Sequence, residues 1–147
     1  MREIITEIEI EAAPENIWQI LMDFAAYPKW NPFIKSIEGK PDVETGLKVF
    51  IQPPGSGGMN FSPTVTAFEP AKKFQWKGRL LLPGVFDGTH SFVIEPVSEN
   101  KVRFIHSEQF SGLLVPFLWR KLDTETRRGF NEMNAALKKE AERKTNG

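Results

Sequence analysis

GLLVPFLWRKLDTETRRGFNEMNAALKKEAERK, Gly112 to Lys144, is the stretch that decides the fold. Apolar or small residues recur at Leu118, Leu122, Thr126, Gly129, Phe130, Met133, Leu137 and Ala141, almost always three or four apart. That spacing predicts one face of a long amphipathic helix. Pro116 suits its first turn, where no backbone N–H is needed. Asp123 with Arg127 and Glu140 with Lys144 are i,i+4 pairs of favourable order on the wet side. A helix over about residues 116–143 is roughly 42 Å long at 1.5 Å per residue. Its stripe needs a broad partner. Gly129 in mid-helix costs roughly 1 kcal/mol against alanine, so the sheet or a ligand comes close there, or the helix bends.

The rest of the chain supplies strands. Ile4, Thr6, Ile8 and Ile10 alternate with Ile5, Glu7, Glu9 and Glu11, a half-buried strand dry on its even positions. Pro14 and Glu15 open a helix whose buried side holds Ile17, Trp18, Leu21, Phe24 and Ala25. It is expected to stop at Tyr27, since the residue before a proline is pushed out of the helical region. Five further strands are expected at 33–38, 47–52, 61–68, 73–79 and 85–95, and a last one at 102–110. Their short connections favour an antiparallel meander. The class is therefore α+β: a curved antiparallel sheet of seven strands around a long C-terminal helix, with short helices after the first strand.

The 147 residues are expected to form one domain, 1–147, long enough to bury roughly 70% of the unfolded surface. Nineteen basic and nineteen acidic residues leave no basic surface for nucleic acid. The absence of cysteine removes disulfides, thiol nucleophiles and thiolate metal sites. No apolar run is long enough for a membrane span, and the charged N-terminus is not a signal peptide, so the expected location is cytoplasmic. The loop PPGSGG at 53–58 lacks the Gly-Lys-Ser/Thr ending of a phosphate cradle.

At this point the chain resembles the START/Bet v 1-like helix-grip superfamily, in its polyketide cyclase/dehydrase-like branch. The residues carrying the resemblance are IEIEAAPENIW (Ile8 to Trp18), YPKWNPF (Tyr27 to Phe33), FSGLL (Phe110 to Leu114) and GFNEMN (Gly129 to Asn134). The resemblance implies a seven-stranded sheet gripping the C-terminal helix with a cavity between them. It implies much less about activity, because that superfamily holds carriers, receptors, cyclases and chaperone activators.

The two histidines, His90 and His106, lie on the last two strands and share inward faces with Phe92, Phe104 and Phe110. A three-residue turn, Ser98-Glu99-Asn100, with Asn100 in the left-handed region, sets the hairpin register. It pairs Val97 with Lys101, Ile94 with Phe104, Phe92 with His106, and His90 with Glu108. His90, His106 and Glu108 are thus the catalytic candidates. They form a structural polar pair, a ligand-orienting set, or an acid–base pair. Without a fixed motif they are not read as a metal site, and no cofactor is expected.

The expected ligand walls are Trp30, Phe61, Val65, Trp76 and Phe92 from the corner and strands, and Phe130 and Met133 from the helix. His90, His106 and Glu108 complete them. The corner 27–33 is either a plug in the core or a wall of that site. Leu113, Leu114, Phe117 and Trp119 are a plug, a gate over the cavity mouth, or a surface for a protein partner. The reading is non-covalent binding of a hydrophobic or aromatic small molecule, lipid or polyketide-like. The alternatives are an enzyme of cyclase or dehydratase type and a protein-interaction module.

Overall fold

The computed structural model describes residues 2–80 and 82–146, without the side chains of 80, 145 and 146. The chain begins with strand β1 (Arg2–Ile10), whose even positions are the drier ones: Ile4 and Ile10 are fully buried and Ile5 is exposed. Helix α1 (Pro14–Met22) buries Ile17, Ile20 and Leu21. It ends earlier than its sequence suggests, because Asp23 leaves the helical region at φ −84°, ψ 75°. A tight turn (Phe24–Ala26) and a single helical turn, α2 (Tyr27–Trp30), follow. Tyr27 precedes a proline and is nonetheless helical, at φ −51°, ψ −43°. Pro28 falls in the first turn of α2, where a missing N–H costs nothing. The buried Tyr27 hydroxyl donates to the Leu21 carbonyl at 2.8 Å, which ties the two helical pieces together.

The remaining strands are β2 (Ile34–Glu38), β3 (Lys48–Ile51), β4 (Met59–Phe61), β5 (Thr64–Glu69), β6 (Lys73–Leu80), β7 (Phe86–Ser98) and β8 (Lys101–Ser111). All pairings are antiparallel, in the orders β1-β8-β7-β6-β5 and β2-β3-β4. The strand expected at 61–68 is broken at Ser62 and Pro63, so the seven expected strands are eight, in two sheets, among the described residues. Proline cannot donate to a ladder. The Pro63 carbonyl still accepts from Leu47 N at 2.8 Å, and Val65 N donates to Thr45 O at 2.9 Å, joining the sheets at that seam.

The β7–β8 register pairs Ile94 with Phe104, Phe92 with His106, and His90 with Glu108, as the sequence predicts. The turn is different. Ser98 pairs with Lys101, so the connection is two residues, and a register shift at Val97 absorbs the odd one. A bulge of this kind inserts one residue without turning the rest of the strand over. Asn100 is not among the residues of positive φ.

The C-terminal helix is continuous but not uniform. Helix α3 (Val115–Lys121) passes through a wider π turn (Leu122–Thr126) into α4 (Arg127–Asn146), with helical dihedrals at Lys121, Leu122 and Arg127. The Thr124 hydroxyl donates to the Arg120 carbonyl inside that turn. Phe130, Met133, Leu137 and Ala141 on α4 are fully buried against the five-stranded sheet. Each large buried side chain there contributes roughly 1.5–3 kcal/mol. Helix α4 also reaches the outer edge of β1. Arg127 Nη1 donates to Ile5 O at 3.3 Å and Lys138 Nζ to Glu9 O at 2.9 Å. Glu11 N donates to Glu142 Oε2 at 2.9 Å. No helix among the described residues is long and apolar enough to cross a membrane.

Candidate ligand cavity and its buried polar chain

A cavity of about 550 Å³ lies between the two sheets and the first half of the C-terminal helix. Val49, Ile51, Met59 and Phe61 of the small sheet form one wall. Trp76, Gly78, Gly88, His90, Glu108 and Phe110 of the large sheet form another. Leu118, Leu122 and Thr126 cover it from the helix. Those three belong to the same stripe as Phe130 and Met133. The stripe therefore splits: its second half packs on the sheet and its first half roofs a void. The glycine-rich loop 53–58 borders the cavity, and the Ser56 hydroxyl donates to Glu125 Oε2 at 2.7 Å, fastening loop to π turn.

Paired glycines, Gly78 and Gly88, leave the strand surface open beneath this space. Gly88 has a further role. A Cβ on it would sit 2.2 Å from Glu108 Oε2, so the carboxylate folds over a position only glycine can leave vacant. Glu108 is 18% exposed, while His90 is 1% exposed and His106 fully buried.

From Glu108 a chain of hydrogen bonds runs inward. Glu108 Oε1 lies 3.2 Å from His90 Nδ1, and His90 Nε2 lies 2.7 Å from His106 Nε2. His106 Nδ1 lies 2.9 Å from Asn134 Oδ1. Asn134 Nδ2 donates to the Thr6 hydroxyl at 2.8 Å, and that hydroxyl donates to the His106 carbonyl at 2.8 Å. Four elements, β1, β7, β8 and α4, each contribute a member. Aromatic rings enclose the chain: His106 stacks on Phe130 at 4.0 Å between centroids, and His90 on Trp76 at 4.9 Å. Burial, with the neighbouring His90 adding to it, holds the His106 pKa well below the ordinary histidine value, against the opposing hydrogen bond that the ring donates to Asn134 Oδ1. Among the described residues no group of three His, Asp or Glu is arranged to hold a metal ion.

Of the expected ligand walls, Phe61, Trp76, His90 and Glu108 border the cavity. Val65, Phe92, His106, Phe130 and Met133 are buried in the packed core beside it. Trp30 lies apart, in a small polar cleft with Lys29, Glu140 and Arg143. The corner around it is mainly a plug, except that Phe33 reaches both the cavity and the core. Phe33 packs edge-on against Phe130 at 5.4 Å, and its ring lies where a Cβ on Gly129 would go, 2.4 Å away. That side chain is the close approach the mid-helix glycine signals. Leu113 and Phe117 are 75% and 84% exposed, whereas Trp119 packs on Phe110 and beneath the Arg2 guanidinium.

Asn134 and Thr6 are the members that sequence reasoning does not single out. Their signal is a polar residue on an otherwise dry face: Asn134 sits four after Phe130 and three before Leu137, and Thr6 lies between Ile4 and Ile8. Arg79, Phe86 and Leu122 border the cavity without any signal beyond their strand or helix face.

A family model described as polyketide cyclase / dehydrase and lipid transport matches residues 1–142. The chain belongs to this family. Among solved structures it is similar to the Zhui aromatase/cyclase from Streptomyces, at 14% identity and a TM-score of 0.80, covering 98% of this chain and 95% of that one. It is also similar to a START superfamily protein from Mycobacterium smegmatis, at 23% identity and a TM-score of 0.73, covering 96% and 97%. A norcoclaurine synthase point mutant from Thalictrum flavum matches at 15% identity and a TM-score of 0.75, covering 98% and 96%. A search of curated proteins finds no match to this chain. At these identities the neighbours establish the fold that the family shares, an α+β sheet packed on a long C-terminal helix.

Proposed function

We propose that this family member binds a hydrophobic or aromatic small molecule non-covalently in the cavity, with Glu108 as its polar anchor. The observation that carries this reading is a void of about 550 Å³ with largely apolar walls and one half-buried carboxylate. Ligand sites commonly have roughly 300–1,000 Å³, apolar walls for affinity and a few polar groups for orientation. Glu108 Oε1 is engaged by His90, and Oε2 has no such tie, so it is free to accept a hydrogen bond from a ligand hydroxyl. The test is titration of the full chain with a polycyclic phenol, followed by fluorescence and thermal melting. Binding near one to one with a raised Tm is expected, since any ligand selective for the native state stabilises it. Glu108→Gln should weaken the phenol about tenfold and leave its hydroxyl-free analogue unchanged. No Tm shift with any apolar ligand would sink the reading.

A second reading, a cyclase- or dehydratase-type enzyme, draws support from the same pair. A carboxylate 3.2 Å from a buried imidazole beside an apolar cavity can move a proton to or from a bound substrate. Cyclisation of a poly-β-ketone substrate, lost in Glu108→Ala, would favour it over simple binding.

A further inference from the structure

We propose that Asn134 and Thr6 are positioning residues that, by way of His106, set how many protons the His90–Glu108 pair carries at the cavity wall. The proposal deepens the ligand-site reading and rests on it only for the claim that a ligand meets Glu108. One member of the chain has a fixed role. The His106 carbonyl can only accept, so the single Thr6 hydroxyl proton points to it. The Thr6 oxygen must then accept from Asn134, which turns the amide nitrogen toward Thr6 and the amide oxygen toward His106. An oxygen there requires His106 Nδ1 to carry a hydrogen.

His106 is fully buried and its pKa is held low, so the ring is neutral and its Nε2 is bare. A bare Nε2 at 2.7 Å must accept from His90, whose Nε2 therefore carries a hydrogen. What remains is the 3.2 Å contact between His90 Nδ1 and Glu108 Oε1. It closes with one proton, held either as carboxylic acid and neutral ring or as carboxylate and imidazolium. Transfer of that proton from oxygen to nitrogen interconverts the two forms. In both, the pair is net neutral.

Reversing the Asn134 amide would reverse every step. His106 would carry its hydrogen on Nε2, His90 Nε2 would be bare, and His90 Nδ1–H would face a carboxylate. The pair would then have lost a proton and would present a negative charge to the cavity. The orientation of one amide, held by one threonine hydroxyl, thus decides the charge a ligand meets. The other side chains packed on the two imidazoles, Trp76, Phe92, Phe33, Phe104 and Phe130, do not titrate in this range. The charged groups bordering the cavity besides Glu108 are Arg79, Lys121 and Glu125.

The test is ¹⁵N NMR of the histidine rings in the ligand-free full chain and in its Thr6→Val and Thr6→Ser variants. Native protein and Thr6→Ser should show His106 as a single tautomer, Nδ1 protonated and Nε2 bare. Thr6→Val should lose that single tautomer, with a second population protonated at Nε2 and a matching change at both His90 nitrogens. Native His106 protonated at Nε2 would overturn the proposal even if Thr6→Val did not fold. A Thr6→Val spectrum identical to the native one would overturn it as well. Because no ligand is used, a protein that binds nothing in its cavity can still pass this test. The two proposals therefore fail separately.

Discussion

Gly88 and Gly129 each stand where a methyl group would collide, and the atoms they would meet differ in what they can give up. At Gly129 the obstacle is the Phe33 ring, locked between Phe130 and the core. Gly129→Ala gains about 1 kcal/mol of helix propensity and loses more to overpacking, so it should lower stability by about 1–2 kcal/mol in denaturant unfolding. At Gly88 the obstacle is the tip of Glu108, which can swing into the cavity. Gly88→Ala should lower stability by about 1–3 kcal/mol, because the displaced carboxyl leaves the buried His90 Nδ1 unpaired, and should weaken a hydroxyl ligand about tenfold, the worth of one hydrogen bond. His106 adds a pH dependence of definite sign. Its folded pKa is depressed, so below about pH 6.5 the unfolded chain takes up a proton that the folded ring refuses. Stability is full above that pH and declines as the pH falls below it, by up to about 1.4 kcal/mol per unit. Urea midpoints between about pH 7 and pH 5 should fall less steeply in His106→Gln. His90, His106 and Glu108 were legible in the sequence because inward faces follow from a period of two. Asn134 and Thr6 were not, because a polar residue on a dry face acquires meaning only from its partner, and Thr6 and Asn134 are 128 residues apart.

Among the elements, the last hairpin was the most legible and its turn the least. The inward residues of β7 and β8 allow few registers, and the chain reaches the expected one through a two-residue turn and a bulge at Val97. The long helix was legible as a helix and as a stripe. Periodicity tells which side of a helix is apolar, but not whether that side meets packed atoms or empty space. Leu118, Leu122 and Thr126 meet space, and the π turn there is invisible to a three-or-four spacing. Insertions of this kind occur often at functional sites. Here the turn carries Glu125, which ties down the loop 53–58 through Ser56. Glu125→Ala should release that loop and speed ligand exchange severalfold. Stopped-flow displacement of a bound dye would measure it, with the equilibrium affinity changing less than the rates.

At the scale of the molecule, two features that look unrelated meet at one edge. The chain has a formal net charge of +0, so little long-range repulsion keeps copies apart. Its nine-residue strand β1 is, among the described residues, paired with a strand only on one side. Such an edge is a template on which another chain can add a strand. Helix α4 occupies it: Arg127 and Lys138 take the carbonyls of Ile5 and Glu9, and Glu142 takes the amide of Glu11. The C-terminal helix thus roofs the cavity with its first half and, with its second, guards against self-templated aggregation. Replacing both Arg127 and Lys138 with alanine should leave the cavity's affinity for a ligand intact and raise the rate of fibril or oligomer formation, read by light scattering at neutral pH. A chain selected only for binding would not need those two contacts; a chain that must also stay dispersed in a crowded solution would.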